Sequence, residues 1–92
     1  LWSGNLLNSD AGIRLIDPSC WYAERGLDIA MLTLFGNPPP VFWKTYEAIY
    51  PIPDVVRQFI PVYQLYYALA HVCLFGNAYN ALCRNLWTQF KD

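Results

Sequence analysis

Charge is scarce in this chain. Lys and Arg number 6, Asp and Glu number 7, and the net charge is −1. No basic run is present, so the electrostatic footprint of a nucleic-acid binder is missing and no nucleic-acid partner is expected. Histidine occurs once and cysteine three times, as Cys20, Cys73 and Cys83, without the spacing of a zinc or redox motif. An odd set of thiols of this kind suits a reducing compartment, so a cytoplasmic protein with three small buried cysteines is expected. The first residues lack the basic region, apolar run and cleavage site of a secretory leader. Between Gln58 and Cys83 no Asp, Glu, Lys or Arg occurs, but Pro61, Gln64, His71, Gly76, Asn77 and Asn80 interrupt any run of the roughly 20 apolar residues that a membrane span needs. A buried helix accounts for the stretch better, and no membrane partner is expected.

What the chain has in abundance is apolar surface. Hydrophobic residues make up 55% of its 92 residues and aromatics 17%. A domain of this length buries roughly 60 to 70% of its unfolded surface. An unpaired apolar face is therefore expected, open to another part of the protein or to self-association.

Turn and cap signals divide the chain into a hairpin and helices. Leu6-Leu7 and Ile13 to Ile16 read as strands, with Asn8-Ser9-Asp10-Ala11-Gly12 as the turn. A loop through Ser19-Cys20-Trp21-Tyr22 leads to a helix near Gly26 to Phe35, which Gly36-Asn37-Pro38-Pro39-Pro40 ends. A second helix runs from about Val41 to Ile49 and closes at Pro51-Ile52-Pro53. Asp54 is a suitable N-cap for a third, kinked or restarted at Pro61 and continuing to Phe75. Gly76-Asn77 is a C-cap signal, and a last helix spans roughly Tyr79 to Phe90.

The chemistry concentrates at the start. Leu1-Trp2-Ser3-Gly4-Asn5 supplies Leu-x-x-x-Asn, the end of a phosphoryl-transfer loop in which an Asp immediately before the Leu would be the base. A hairpin places Asn5 at its entrance and Asp17 at its exit, where two hard oxygen donors suit a shared magnesium ion. The plainer reading makes Asn5 a turn residue and Asp17 an N-cap before Pro18.

From end to end the chain resembles the fructosamine kinase (ketosamine 3-kinase) family. The resemblance is carried by Leu1-Trp2-Ser3-Gly4-Asn5, Ile16-Asp17-Pro18, Tyr22 through Met31, Leu34-Phe35-Gly36, Pro61 to Tyr66 and Leu74-Phe75-Gly76. It implies a mostly α fold with a short β-hairpin, the C-terminal helical lobe of a protein kinase-like, aminoglycoside phosphotransferase-type enzyme. In that layout residues 1–17 form the loop end, hairpin and metal aspartate, and 26–90 a helical subdomain. The nucleotide lobe, with its glycine-rich loop and gripping lysine, is absent. The implied activity is ATP- and magnesium-dependent phosphorylation of a ketosamine 3-hydroxyl in protein deglycation, with the 92 residues alone inactive.

The resemblance also implies roles for single residues. Asn5 and Asp17 would hold magnesium, and Asp28 would be a buried brace for the loop backbone. Position 26, where the family usually carries Glu, is Gly26. From the residues themselves, Trp2, Trp21 and Tyr22, aromatics flanking the metal ligands, are candidate substrate contacts, with a core or interface role the equal alternative for each. Gln64 and His71, seven apart on one helix face, would be either a hydrogen-bonded core pair or part of a substrate cleft. Glu24, Glu47 and Asp54 lack a partner pattern and read as solvated. Two alternatives stand beside this reading: a kinase of another hydroxylated amine, such as an aminoglycoside or choline, and a non-catalytic helical interaction module.

Overall fold

The computed structural model describes residues 1–17 and 22–90. A single 3-10 turn, Ser3–Asn5, opens into an antiparallel hairpin of β1 (Leu6–Ser9) and β2 (Gly12–Leu15). The register pairs Leu6 with Leu15 and Ser9 with Gly12, so the turn is only Asp10-Ala11. Asn8, Ser9 and Gly12 thus belong to strands and not to a longer loop. Gly12, at φ 103°, takes the left-handed conformation that lets so short a connection close. Ile16 lies past the last ladder pair, yet its N–H still donates to the Asn5 carbonyl at 3.0 Å.

Four helices follow: α1 (Gly26–Leu34), α2 (Pro40–Ile49), α3 (Asp54–Phe75) and α4 (Asn80–Thr88), with a 3-10 turn at Asn77–Tyr79 leading into α4. Pro40 opens α2, where a missing N–H costs nothing, because the first helical N–H groups have no intrahelical partner. Asp54 is the first residue of α3 and not its cap; Pro53 is the cap, and the carboxylate instead favours the helix through its dipole. Pro61 neither ends nor restarts α3, which runs unbroken for 22 residues. Gly76 closes α3 at φ 85°, ψ −160°, a region open essentially to glycine alone. Gly36, by contrast, has no positive φ, and α1 ends at Phe35 without a left-handed cap.

The core lies where α1 packs on α3, with α4 against the far end of α3. Ile29, Ala30 and Leu32 of α1, Ala68 of α3, Leu86 of α4 and Ile52 of the α2–α3 link are buried. Ala30 and Ala68 are completely so, and small side chains there let the two helices approach closely. Cys73 is exposed and Cys83 half-buried, contrary to the expectation of buried thiols; Cys73 faces outward on the last turns of α3. Cys20 lies outside the described residues. Among the described residues no helix is long and apolar enough to cross a membrane.

Candidate functional site

The Ile16 to Asn5 hydrogen bond closes the open end of the hairpin, making the residue before Asp17 a backbone partner of Asn5. Asp17 itself is exposed and has φ 50°. A non-glycine residue in the left-handed region is uncommon, although Asp is among those that tolerate it best. Asn5 and Asp17 thus stand at one end of a two-stranded ribbon, and both residue types carry the hard oxygen donors that magnesium takes.

Asp28, in the first turn of α1, pairs with the terminal ammonium of Leu1, accepting its hydrogen bond at 3.1 Å. Its side chain is 68% exposed, so the buried brace expected from the sequence is an exposed one in this structure. A short turn of helix with a protruding carboxylate reaches the loop without being enclosed by it. Tyr67 of α3 faces the same carboxylate: burial, and next the negative charge of Asp28, raise its phenol above the usual range.

Trp2 lies over Gly4, where any side chain would collide with the indole. Together with Met31, Phe35, His71, Phe75 and Tyr79 it lines a largely apolar cavity of about 550 Å³. The His71 ring sits 5.0 Å from that of Phe35 and 5.1 Å from that of Tyr79. Its Nδ1 is 2.6 Å from the Tyr67 carbonyl. That contact requires the proton on Nδ1, which leaves Nε2 as the acceptor of a neutral ring.

Gln64 and His71 do not bond one another. Gln64 instead donates to Thr33 Oγ1 at 2.8 Å, tying α3 to α1. Tyr22 is fully exposed, and Trp21 lies outside the described residues. Of the two aromatic candidates among the described residues, Trp2 shares a cavity with His71 and Tyr22 does not.

The sequence did not single out Arg25 or Glu24. Arg25 donates to Tyr46 Oη at 3.1 Å and to the carbonyls of Tyr50, at 2.9 Å, and Pro51. Its guanidinium also lies 3.6 Å from the Tyr50 ring centroid, so one side chain ties the entry of α1 to the end of α2. Glu24, read as solvated, accepts the Gly26 N–H at 2.9 Å, and after burial its negative charge helps raise the Tyr63 phenol above the usual range. Glu47, likewise read as solvated, pairs with Arg57 across the α2–α3 link. None of these contacts has a fixed helical spacing, and so none had a sequence signal. The cavity wall did have one: His71, Phe75 and Tyr79 recur every four residues.

A family model described as fructosamine kinase matches residues 1–91. The chain belongs to the fructosamine kinase family. Among curated relatives of this family, a probable ketoamine kinase of Thermus thermophilus is 48% identical over 86% of the chain and 30% of its own length. One from Lactiplantibacillus plantarum is 42% identical over 98% of the chain and 32% of its own length. Among solved structures, a candidate fructosamine-3-kinase from Haemophilus somnus superposes with a TM-score of 0.84 at 30% identity, over 100% of this chain and 32% of that one. Another from Thermobifida fusca gives 0.80 at 40% identity, over 94% and 30%. The fold is accordingly kinase-like, and the chain spans about a third of the length of these family members.

Proposed function

We propose that these residues are the metal-holding, substrate-facing part of an ATP-dependent kinase that phosphorylates the 3-hydroxyl of a ketosamine, the sugar adduct of an amine. The observation that carries this reading is the pairing of Asn5 with Ile16, which brings Asn5 and Asp17 to one end of the hairpin. Their carbonyl and carboxylate oxygens would hold magnesium, with ATP as the phosphoryl donor. Magnesium supplies neutralisation of the charge that develops on the transferred group. Asp28 holds the Leu1 backbone and with it the loop that carries Asn5. The Asp expected before Leu1 would take the hydroxyl proton as the γ-phosphoryl group leaves ATP, releasing ADP, and joins the sugar oxygen. The nucleotide-gripping lobe would come from the part of the protein corresponding to the other two thirds of the relatives.

Trp2 and His71 would face the substrate across the aromatic cavity, where an indole face suits the apolar stem of an amine and His71 Nε2 can accept a hydroxyl or ammonium proton. A phosphate on the 3-hydroxyl would destabilise the adduct, which fits a role in deglycation.

In the intact protein, Asp17→Ala and Asn5→Ala are expected to lower magnesium-dependent phosphorylation of fructosyl-lysine by about 10²-fold or more, since such a site works by electrostatic stabilisation. Unchanged turnover in either variant would remove the assignment. Preference for an aminoglycoside or for choline over the ketosamine would keep the kinase and replace its substrate.

A further inference from the structure

The entry to α1 has an arrangement that the site does not account for. The residue preceding the helix, Arg25, contributes no side-chain cap, because a guanidinium has no acceptor to offer the first-turn N–H groups. The cap comes from one residue further back. Glu24 accepts the Leu27 N–H on its main-chain carbonyl at 3.1 Å and the Gly26 N–H on its carboxylate at 2.9 Å. These N–H groups belong to the first helical turn, which has no intrahelical acceptor for them. The other carboxylate oxygen lies 2.5 Å from the point where a Cβ on residue 26 would stand, with Tyr63 and Val56 carbons each 3.0 Å from that point. Glu24 and a side chain at position 26 thus compete for one volume, and glycine resolves the competition in favour of Glu24.

We propose that Glu24 is a positioning residue of the phosphoryl-transfer site: its carboxylate takes the place of a side chain at position 26, fixes the first turn of α1, and so holds Asp28 against the Leu1 backbone. The second half of this statement rests on the role of Asp28 given above. The geometry is local and continuous, since Asp28 lies two residues beyond the capped Gly26 and its Oδ1 is 3.1 Å from the Leu1 nitrogen.

The test uses the intact protein with Glu24→Ala, Gly26→Glu, the two combined, Asp28→Ala, and Glu24→Ala with Asp28→Ala. Melting temperature and kcat for magnesium-dependent phosphorylation of fructosyl-lysine are measured for each. Loss of the cap in Glu24→Ala should lower the melting temperature by about 2–4 °C. Gly26→Glu should be destabilising in the native background and distinctly less so once Glu24 is gone. Crowding against Tyr63 and Val56 is common to both backgrounds and cancels in the comparison. Additive shifts would overturn the exchange. For positioning, Glu24→Ala should lower kcat by roughly fivefold in the native background and by less than about twofold when Asp28 is already Ala. An equal loss in both backgrounds would overturn the route through Asp28, because a merely structural defect does not depend on that carboxylate. Absence of phosphorylation by the native protein would instead sink the functional reading, and the melting-temperature cycle would still decide the exchange.

Discussion

Tyr67 joins two parts of the site through a single residue: its carbonyl holds His71 Nδ1, and its phenol feels the charge of Asp28. Burial and that charge both oppose ionisation, so the phenol pKa is higher in the folded state than in the unfolded chain. The sign of the consequence is fixed. A group whose folded pKa is raised stabilises fully below its unfolded value, about 10 for tyrosine, and loses that contribution as pH climbs through the folded value. Stability against urea is therefore expected to fall above about pH 10, and Tyr67→Phe should make that fall shallower. Tyr63, raised by burial and by Glu24, titrates in the same direction. A Tyr67→Phe variant with the same alkaline decline as the native chain would refute the argument. Roles at this scale were unevenly visible in the sequence. Asn5 and Asp17 stood out because the motif fixes their spacing, whereas Arg25 acts through contacts with the end of α2 that no local pattern encodes.

Helix ends show which sequence signals decide structure and which only accompany it. Gly36 and Gly76 both follow Leu-Phe and both looked like C-caps, yet only Gly76 has a positive φ. The difference follows from what comes next. After Gly36 the chain enters Pro38-Pro39-Pro40, whose fixed φ angles carry it away in extended form without a left-handed step. After Gly76 it must turn at once into the 3-10 turn Asn77–Tyr79 to return α4 along α3. The two positions therefore form a controlled pair, since an added Cβ meets nothing within 4 Å at either. Gly76→Ala should cost about 1–3 kcal/mol through backbone strain alone. Gly36→Ala should be neutral or slightly stabilising, by restricting the unfolded chain. Comparable urea midpoints for the two variants would contradict this account. The same reasoning covers Pro61. Its position suggested a break, but local propensity yielded to the packing of a long helix that buries Ala68 seven residues later.

A compact monomer of this mass exposes about 5,500 Å², whereas this chain exposes 6986 Å². Its radius of gyration, 14.4 Å, likewise exceeds the roughly 12 Å of a compact domain of this length. The surplus of about 1,500 Å² is larger than the ~800 Å² that each partner contributes to a standard interface, and much of it is apolar. Ile13 and Leu15 of the hairpin, Val41 and Ile49 of α2, and Leu74 and Phe75 at the end of α3 all stand largely in solvent. Composition had already indicated an unpaired face. Its location had not been legible, because it depends on which strand and helix faces the α1–α3 core leaves uncovered. Relatives three times as long supply the simplest cover, namely the rest of their own chain. The isolated 92 residues should therefore bind an apolar dye such as ANS at neutral pH, and the signal should drop severalfold per molecule in the intact protein. On the proposed function the isolated chain should also show no magnesium-dependent phosphorylation, because that proposal draws the nucleotide-gripping lobe from the other two thirds of the protein. Dye binding as weak in the isolated segment as in the intact protein would mean that these apolar faces are not covered by the remaining chain, and measurable turnover by the segment alone would remove the need for a second lobe.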